Sequence, residues 1–257
     1  MPHLSVVGIG IGNPEHLTLE AVRALRDADV LFAVDKGDGR DGLMAVRKAV
    51  CDRALGDRPY RLVAIPEVPR DRAPKDYDAA VREWHAARAE AYADAFAREI
   101  GEGARGAFLV WGDPALYDST LRILDRIADQ GRIPLTYEVL PGISSVQLLA
   151  ARHRTVLNGI GEAVHVTTGR RLLKRPEAAQ SGSTVVMLDG APEAVFAALD
   201  PDLAIYWGAY LGSADEMLVA GRLGDVASEI LRLRRTGRAQ HGWIMDIYLL
   251  RGVSELA

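Results

Sequence analysis

Residues 108–120 join an apolar run to a Gly-Asp-Pro turn, and this order of residue types suits a ligand-binding loop. Residues 108–111 are continuously apolar, which is typical of a strand covered on both faces in a parallel sheet. Gly112 lets the backbone approach a ligand, Asp113 offers acceptor oxygens, and Pro114 fixes the turn. The same residue types also build ordinary turns between a strand and a helix. The segment alone therefore leaves a binding loop and a plain turn open.

Three more glycine-containing segments follow predicted strands. Residues 8–14 carry glycines at three alternate positions, so that backbone N–H groups there can face a ligand. Residues 141–145 end in two serines, and helix capping accounts for one of them. Val146 replaces the last glycine of a G-x-S-x-G elbow, so hydrolase chemistry with a serine nucleophile is not expected. The fourth segment, residues 205–213, changes from a strand pattern into small residues.

The first glycine segment has a competing interpretation as a dinucleotide-binding fingerprint. Asn13 occupies the position of the third glycine in G-x-G-x-x-G, which weakens that match. Asp35, at the end of the second predicted strand, can still serve as the ribose-binding acid of such a fold. A nicotinamide-dependent oxidoreductase therefore stays open as an alternative.

The amino-acid composition limits the kinds of molecule with which the protein is expected to interact. The chain has 257 residues, of which 49% are hydrophobic and 26% charged, with a net charge of -4. This is typical of a globular protein with an ample core, and the basic excess of nucleic-acid-binding domains is missing. Cys51 is the single cysteine, no apolar run approaches the roughly 18 residues of a membrane span, and the histidines lack zinc-binding spacing. We expect a cytoplasmic protein that acts on a small molecule, without metal, nucleic acid or membrane.

The elements that must position these segments alternate along the first half of the chain. Five apolar runs separated by helical patterns predict a mostly parallel sheet. These runs are residues 4–9, 30–34, 62–65, 108–111 and 135–140. Between the third and fourth runs, the charged residues 67–78 predict a mobile surface loop.

The second half of the chain has five further strand candidates, with helical patterns that are mostly shorter and predict a mixed sheet. These candidates are residues 163–168, 184–188, 203–207, 217–220 and 243–250. The longer helical patterns lie at residues 194–199 and 226–233. We therefore expect an α/β protein of two domains, residues 1–140 and 141–257, each with a five-stranded sheet.

Together, the four glycine-containing segments resemble the tetrapyrrole methyltransferase family over nearly the whole chain. The matching residues are 7–14 with 17–19, 112–114, 141–145 and 212–213. The resemblance implies two α/β domains with S-adenosylmethionine in the cleft between them, S-adenosylhomocysteine as product, and by analogy a homodimer. The longer segments that begin at Trp111, Val166, Tyr206 and Gly242 resemble the deacetylating members.

The deacetylating members act on the aerobic cobalamin route. They methylate C-1 of precorrin-5 and release its acetyl group as acetate, giving precorrin-6A. A precorrin or uroporphyrinogen methyltransferase without deacetylation shares the same cofactor segments and stays open, as does a noncatalytic tetrapyrrole-binding protein.

The resemblance also implies roles for individual residues. The cofactor contacts that it transfers are Ile11, Trp111, Gly112, Asp113, Leu116, Ser144, Ser145, Asp189 and Gly212. The family often has Pro at the position of Ile11 and a hydrophobic residue at that of Asp189, so Asp189 can instead meet substrate or a ribose hydroxyl.

The implied reaction has two parts with different needs. Methyl transfer from a sulfonium is an in-line displacement, so the protein has to position the acceptor carbon and exclude water. Acetyl loss requires water to add to a carbonyl, which a base and an oxyanion donor assist. The catalytic candidates near the relevant segments are Asp35, Lys36, Tyr117 and Asp118. A solvated turn explains residues 35–37 equally well.

The substrate carboxylates require cationic partners. Guanidinium groups bind carboxylates with two parallel hydrogen bonds. Arg170 and Arg171 follow a predicted strand end and are the candidates for this binding.

Overall fold

The chain forms two compact units in its computed structural model, Met1–Ser144 and Ser145–Ala257. The structure describes residues 1–35, 37, 41–69, 76–180 and 182–252, without the side chains of residues 41, 42 and 77. Half of the predicted loop at residues 67–78, residues 70–75, thus lies outside the described residues. The first unit continues past residue 140, since Gly142 packs closely against the backbone of Gly8.

Unit 1 is built on a parallel sheet of five strands in the order β3-β2-β4-β1-β5. The strands are β1 (His3–Gly8), β2 (Val30–Asp35), β3 (Leu62–Pro66), β4 (Arg105–Val110) and β5 (Thr136–Leu140). Every neighbouring pair is parallel, so the predicted topology class is confirmed. The predicted inclusion of Trp111 in the fourth strand is wrong. β4 ends at Val110 because Gly112 exchanges hydrogen bonds with Gly10 instead of extending the ladder.

Helices cover both faces of this sheet. They are α1 (Leu19–Asp27), α2 (Asp41–Leu55), α3 (Tyr77–Glu99) and α4 (Thr120–Gln130). Along β4, Phe108 belongs to the core cluster that includes Tyr92 and Phe96 of α3, whereas Leu109 belongs to the cluster that includes Val50 of α2. Successive strand side chains point to opposite faces, so burial on both sides produces the continuous apolar run.

Unit 2 contains a mixed five-stranded sheet, as predicted, in the order β6-β7-β10-β8-β9. Its strands are β6 (Val164–Thr168), β7 (Ser183–Met187), β8 (Ala204–Ala209), β9 (Met217–Arg222) and β10 (Asp246–Arg251). Its helices are α5 (Ser145–His153), α6 (Gly169–Leu172), α7 (Pro192–Ala197) and α8 (Leu223–His241). Only β6 and β7 pair in parallel, and the remaining neighbours are antiparallel.

The predicted start of the last strand in unit 2 is wrong. The last strand begins at Asp246 instead of residue 243, because α8 continues to His241 and ends on Gly242 in the left-handed conformation. Trp243 and Ile244 then pack against the core of unit 2 as irregular chain. Trp243 and Ile244 are apolar because they pack against the core, and their apolar character led to the incorrect prediction of a strand.

Two further features are the hydropathy of the helices and the burial of the single cysteine. Among the described helices, none has both the length and the mean hydropathy that crossing a membrane requires. Cys51 is fully buried in the cluster beneath α1 and α2, and burial raises the pKa of its thiol to about 12.

The loops after β1, β4 and β5 contact one another through glycine backbones. Gly10 and Gly112 exchange two hydrogen bonds, with N···O distances of 3.2 and 2.8 Å. A Cβ atom on Gly8 would lie 2.5 Å from the nitrogen of Gly142, and one on Gly142 would lie 2.7 Å from the carbonyl carbon of Gly8. No real side chain fits at such distances, so Gly8 and Gly142 have to be glycines for the three loops to meet.

We expect Gly142→Ala to destabilise the protein by about 1–3 kcal/mol, because the added methyl group forces the backbones of the loops apart. Gly101→Ala is the matched control, since nothing lies within 4 Å of the position of its Cβ atom. Its effect should stay within about 0.5 kcal/mol. Urea unfolding of both variants measures the free energy of unfolding, and equal stabilities would contradict the tight contact.

Candidate functional site

The loops at one edge of the unit 1 sheet carry all six of the expected cofactor residues of that unit. β4, β1 and β5 are adjacent and parallel, so their carboxyl ends lie at the same edge. The loops that follow these strands carry Ile11, Trp111, Gly112, Asp113, Leu116 and Ser144. Ligands of open α/β sheets bind at this position.

Asp113 connects two of these loops. Its Oδ1 accepts a hydrogen bond of 2.8 Å from the backbone N–H of Ala115, within its own turn. Its Oδ2 accepts one of 2.9 Å from the backbone N–H of Gly142, in the loop after β5. A carboxylate that accepts hydrogen bonds from two backbone N–H groups holds both loops in place. Asp113 therefore fixes the position of the loop after β4 relative to the loop after β5.

The surface next to Asp113 combines exposed backbone with apolar side chains. Gly12 has φ of +126° and Gly112 has φ of +70°, conformations that other residues adopt only with strain. The ring of Trp111 lies 3.7 Å from the position of a Cβ atom on Gly12, and Ile11 lies equally close to that on Gly112. Both side chains are half-buried. The arrangement presents backbone and apolar surface together, as a nucleoside requires.

The two serines lie at the start of α5. Ser144 is buried and directly precedes the helix, while Ser145 is its half-buried first residue. Ser144 thus occupies the position where a capping side chain is expected.

The catalytic candidates of unit 1 differ in their surroundings. Asp35 ends β2, and its Oδ1 accepts a hydrogen bond of 3.0 Å from the backbone N–H of Gly37, which is the geometry of a turn. Lys36 lies outside the described residues. Asp118 accepts a hydrogen bond of 2.6 Å from Thr120 at the start of α4. Tyr117 has φ of +51° and is 47% exposed, and such backbone strain is common at functional sites.

A buried cluster of charged residues beside these candidates was not found from the sequence. Arg88 on α3 is 7% exposed and donates a hydrogen bond of 2.6 Å to Ser119 Oγ and another to the hydroxyl of Tyr92. Its Nε lies 3.4 Å from Oε1 of Glu67, and its guanidinium stacks on the ring of Trp84 at 4.6 Å. The cluster thus joins α3 to the loop that follows the Gly-Asp-Pro turn.

Arg47 on α2 completes this cluster. It is only 4% exposed, and its Nε has no hydrogen-bond partner among the described residues. Burial lowers the pKa of its guanidinium, while Tyr92, Asp35, Asp118 and Glu67 act in the opposite direction. Arginine remains charged in proteins, so Arg47 is a buried cation whose charge is stabilised by nearby carboxylates.

A signal for this cluster exists in the sequence. Arg47 lies between the buried Leu43 and Val50, at helical spacing in an otherwise apolar stripe. Arg88 similarly lies four residues before the buried Tyr92. A cation in an apolar helical stripe is unusual because burial of a charge is costly.

Asp189 in unit 2 belongs to a different buried network. Its Oδ1 accepts a hydrogen bond of 3.0 Å from Ala191 N–H, and its Oδ2 accepts one of 2.7 Å from the hydroxyl of Tyr248. Arg234 donates to its backbone carbonyl and forms an ion pair with Asp246. Burial raises the pKa values of Asp246 and Tyr248. Both oxygens of Asp189 therefore have partners within the protein.

The remaining predicted residues of unit 2 lie in turns and in a short helix. Gly212 has φ of +80°, and its N–H donates a hydrogen bond of 2.7 Å to Glu216. Arg170 and Arg171 are exposed on α6. The first residue of that helix, Gly169, lies against the side chain of Asp189. Among the described residues, no group of three His, Cys, Asp or Glu side chains is arranged to hold a metal.

The chain is similar in sequence to known cobalamin enzymes. The family model described as Tetrapyrrole (Corrin/Porphyrin) Methylases matches residues 3–227. A precorrin-6A synthase (deacetylating) of Sinorhizobium sp is 47% identical over 252 residues, which cover 98% of this chain and 95% of that protein.

Solved structures extend this similarity to the fold. A cobalamin synthesis related protein (CobF) from Corynebacterium diphtheriae has a TM-score of 0.82 at 37% identity, with 100% of both chains covered. The uroporphyrin-III C-methyl transferase from Thermus thermophilus, complexed with S-adenyl homocysteine, has a TM-score of 0.61. It is 20% identical, with 97% of this chain and 92% of that chain covered, and supports the fold alone. Since the family model spans most of the sequence, the chain belongs to the tetrapyrrole (corrin/porphyrin) methylase family.

Proposed function

We propose that the protein transfers a methyl group from S-adenosylmethionine to C-1 of precorrin-5 and releases the acetyl group as acetate, giving precorrin-6A. The observation that carries this proposal is the 47% identity to a deacetylating precorrin-6A synthase over nearly the full length of both chains. The pathway is then the aerobic route to cobalamin. A tetrapyrrole is the small-molecule partner, and neither nucleic acid nor a membrane takes part.

The cofactor site that we propose in unit 1 is the loop edge around Asp113. Gly12 and Gly112 keep backbone free of side chains there, while Trp111, Ile11 and Leu116 supply apolar surface. These features fit an adenosyl group with a charged sulfonium tail. When bound, S-adenosylmethionine supplies the methyl group that is transferred. The protein's own contribution is to orient the two reactants and to exclude water.

Further contacts follow from the family resemblance. We propose that Ser144, Ser145, Asp189 and Gly212 also contact the cofactor. Asp189 can do so only with lone pairs left over from its bonds to Ala191 and Tyr248.

The substrate requires carboxylate partners and proton transfer. Arg170 and Arg171 are our candidates for the carboxylates, since both are exposed at the start of a short helix after β6. Asp35, Lys36, Tyr117 and Asp118 are our candidates for proton transfer during acetyl loss. By analogy with the family, we propose a homodimer in the cytoplasm.

Products distinguish the proposed reaction from methylation alone. We expect the purified protein, given precorrin-5 and S-adenosylmethionine, to form S-adenosylhomocysteine and acetate in equal amounts. Chromatography of the nucleoside and enzymatic determination of acetate provide the two quantities. Methylation without acetate would instead indicate a methyltransferase that lacks deacetylation.

Binding measurements distinguish the proposed cofactor from a nicotinamide nucleotide. Asn13, which replaces the third glycine of the dinucleotide fingerprint, uses its side chain to accept a hydrogen bond of 2.9 Å from Glu15 N–H. We therefore expect calorimetry to detect binding of S-adenosylhomocysteine and none of NAD or NADP. Binding of a nicotinamide nucleotide alone would overturn the proposed cofactor.

Asp113→Asn tests the connection between the two cofactor loops. The new amide can accept only one of the two backbone hydrogen bonds and turns its NH₂ group toward the other donor, at a cost of about 1–3 kcal/mol. We expect affinity for S-adenosylhomocysteine to fall by about 10-fold or more in calorimetry. Asp200→Asn is the control, because exposed Asp200 accepts a single turn hydrogen bond from Asp202 N–H. Equal affinities of the two variants would contradict the role of Asp113.

A further inference from the structure

Arg47 is a buried cation whose hydrogen-bond donors are only partly satisfied among the described residues. Its Nη1 makes only long contacts, 3.4 Å to the carbonyl of Leu43 and 3.9 Å to the sulfur of Met44. Its Nε has no hydrogen-bond partner among the described residues. A guanidinium carries five N–H donors, and leaving them unused in a buried position is costly. The described residues thus leave the Nε–H of Arg47 without an acceptor.

The carboxylates around Arg47 do not fill this role. Asp35, Glu67 and Asp118 are close enough to act on its charge. No ion pair within 4.0 Å joins any of these described carboxylates to Arg47. Each has its own contact, since Asp35 and Asp118 accept from backbone N–H groups and Glu67 faces Arg88. Arg47 and these three carboxylates thus lie near one another without forming an ion pair.

The charged residues near Arg47 lie beside the proposed cofactor loop. Arg88 donates to Ser119, which follows Asp118 in the segment that leads from the Gly-Asp-Pro turn into α4. Glu67 continues the pairing of β2 with β3, because its N–H donates a hydrogen bond of 2.8 Å to the carbonyl of Asp35. The cluster is therefore fixed to the carboxyl ends of strands, the edge at which this class of sheet binds ligands.

We propose that Arg47 binds the oxygen of the acetyl group during its removal and then the acetate that is formed. This inference rests on the proposed deacetylating function. The ligand class is a small acyl group or carboxylate, and a buried guanidinium suits both because it stabilises negative charge on oxygen.

The step balances without an oxidant or reductant. Water adds to the acetyl carbonyl, so that a carbon–oxygen bond forms while a neighbouring carboxylate, with Asp35 as the candidate, takes the proton. The carbonyl oxygen becomes an oxyanion on Arg47. The bond between the acetyl carbon and the macrocycle then breaks, and its electron pair passes into the conjugated ring system, which thereby becomes the nucleophile that methylation requires. Acetate leaves as the anion held by the guanidinium.

The main test separates a role in catalysis from a role in substrate binding. Arg47→Gln keeps the approximate size of the side chain and removes its charge. We expect kcat for acetate release from precorrin-5 to fall by about 100-fold or more, as on removal of an oxyanion donor, with KM within about threefold of the wild type. Formation of S-adenosylhomocysteine should fall to the same extent, because loss of the acetyl group supplies the electron pair for methylation. Arg47→Lys keeps the charge and should give an intermediate rate of acetate release. Arg53→Gln, on the exposed side of the same helix, should change neither product.

Several outcomes would overturn the role of Arg47. Equal losses of both products with a raised KM would indicate that Arg47 binds a peripheral carboxylate of the macrocycle instead. Unchanged acetate release in Arg47→Gln would exclude it from deacetylation. If the wild type forms neither product, the proposed function fails, which is a different result from a defect confined to the variant.

A binding measurement keeps the proposal testable even if Arg47→Gln does not fold. We expect the Nε–H signal of Arg47 in the nuclear magnetic resonance spectrum of the wild type to shift saturably on titration with sodium acetate. The Arg47→Lys spectrum, which lacks that signal, provides its assignment. Sodium chloride at equal ionic strength is the control titration. Absence of a shift specific to acetate would overturn the proposal.

Discussion

The close packing of glycine backbones is the constraint on which the loop edge of unit 1 depends. Gly8 and Gly142 approach each other to distances that admit no side chain, and Gly112 exchanges two hydrogen bonds with Gly10. The loops after three adjacent strands are therefore fixed relative to one another by the main chain itself. Asp113 adds a side-chain connection between two of them. A site built in this way presents backbone with little freedom to rearrange, which favours preorganised binding.

Unit 1 and unit 2 use buried polar groups in different ways. In unit 2, Asp189 and Asp246 have hydrogen-bond or ion-pair partners in Tyr248, Arg234 and Trp207, so that network is satisfied from within. In unit 1, the Nε of the buried Arg47 has no hydrogen-bond partner among the described residues. A satisfied network rigidifies a core, whereas an unsatisfied charge indicates a place for something else to bind. This contrast indicates that the Arg47 cluster, unlike the network in unit 2, is a place where a ligand can bind.

The sequence predicts the sheets and the glycine loops because their signals are local. Residues 108–111 are apolar on both faces, and the glycines stand directly after strand runs, so short windows of sequence contain the information. The end of β4 is missed by one residue, since Trp111 is apolar but the bridge at Gly112 decides where the strand stops. The start of β10 is missed because core packing of Trp243 resembles strand burial. Boundaries therefore depend on contacts that periodicity does not encode.

The Arg47 cluster was missed for a related reason. Its charged members Arg47, Glu67 and Arg88 stand in separate parts of the chain, and no short window of sequence contains two of them. Only the fold brings these residues together. An arginine within an apolar helical stripe nevertheless indicates a buried charge, and this signal is visible in the sequence alone.

The burial of Cys51 has a practical consequence. The chain contains one cysteine, and its thiol is fully buried with a pKa of about 12, so very little thiolate exists near neutral pH. Maleimide and iodoacetamide dyes attack thiolates, and the native protein therefore offers them almost no target. A cysteine introduced on the surface becomes the single labelling position, so distance measurements by fluorescence or spin labels can start from the unmodified sequence.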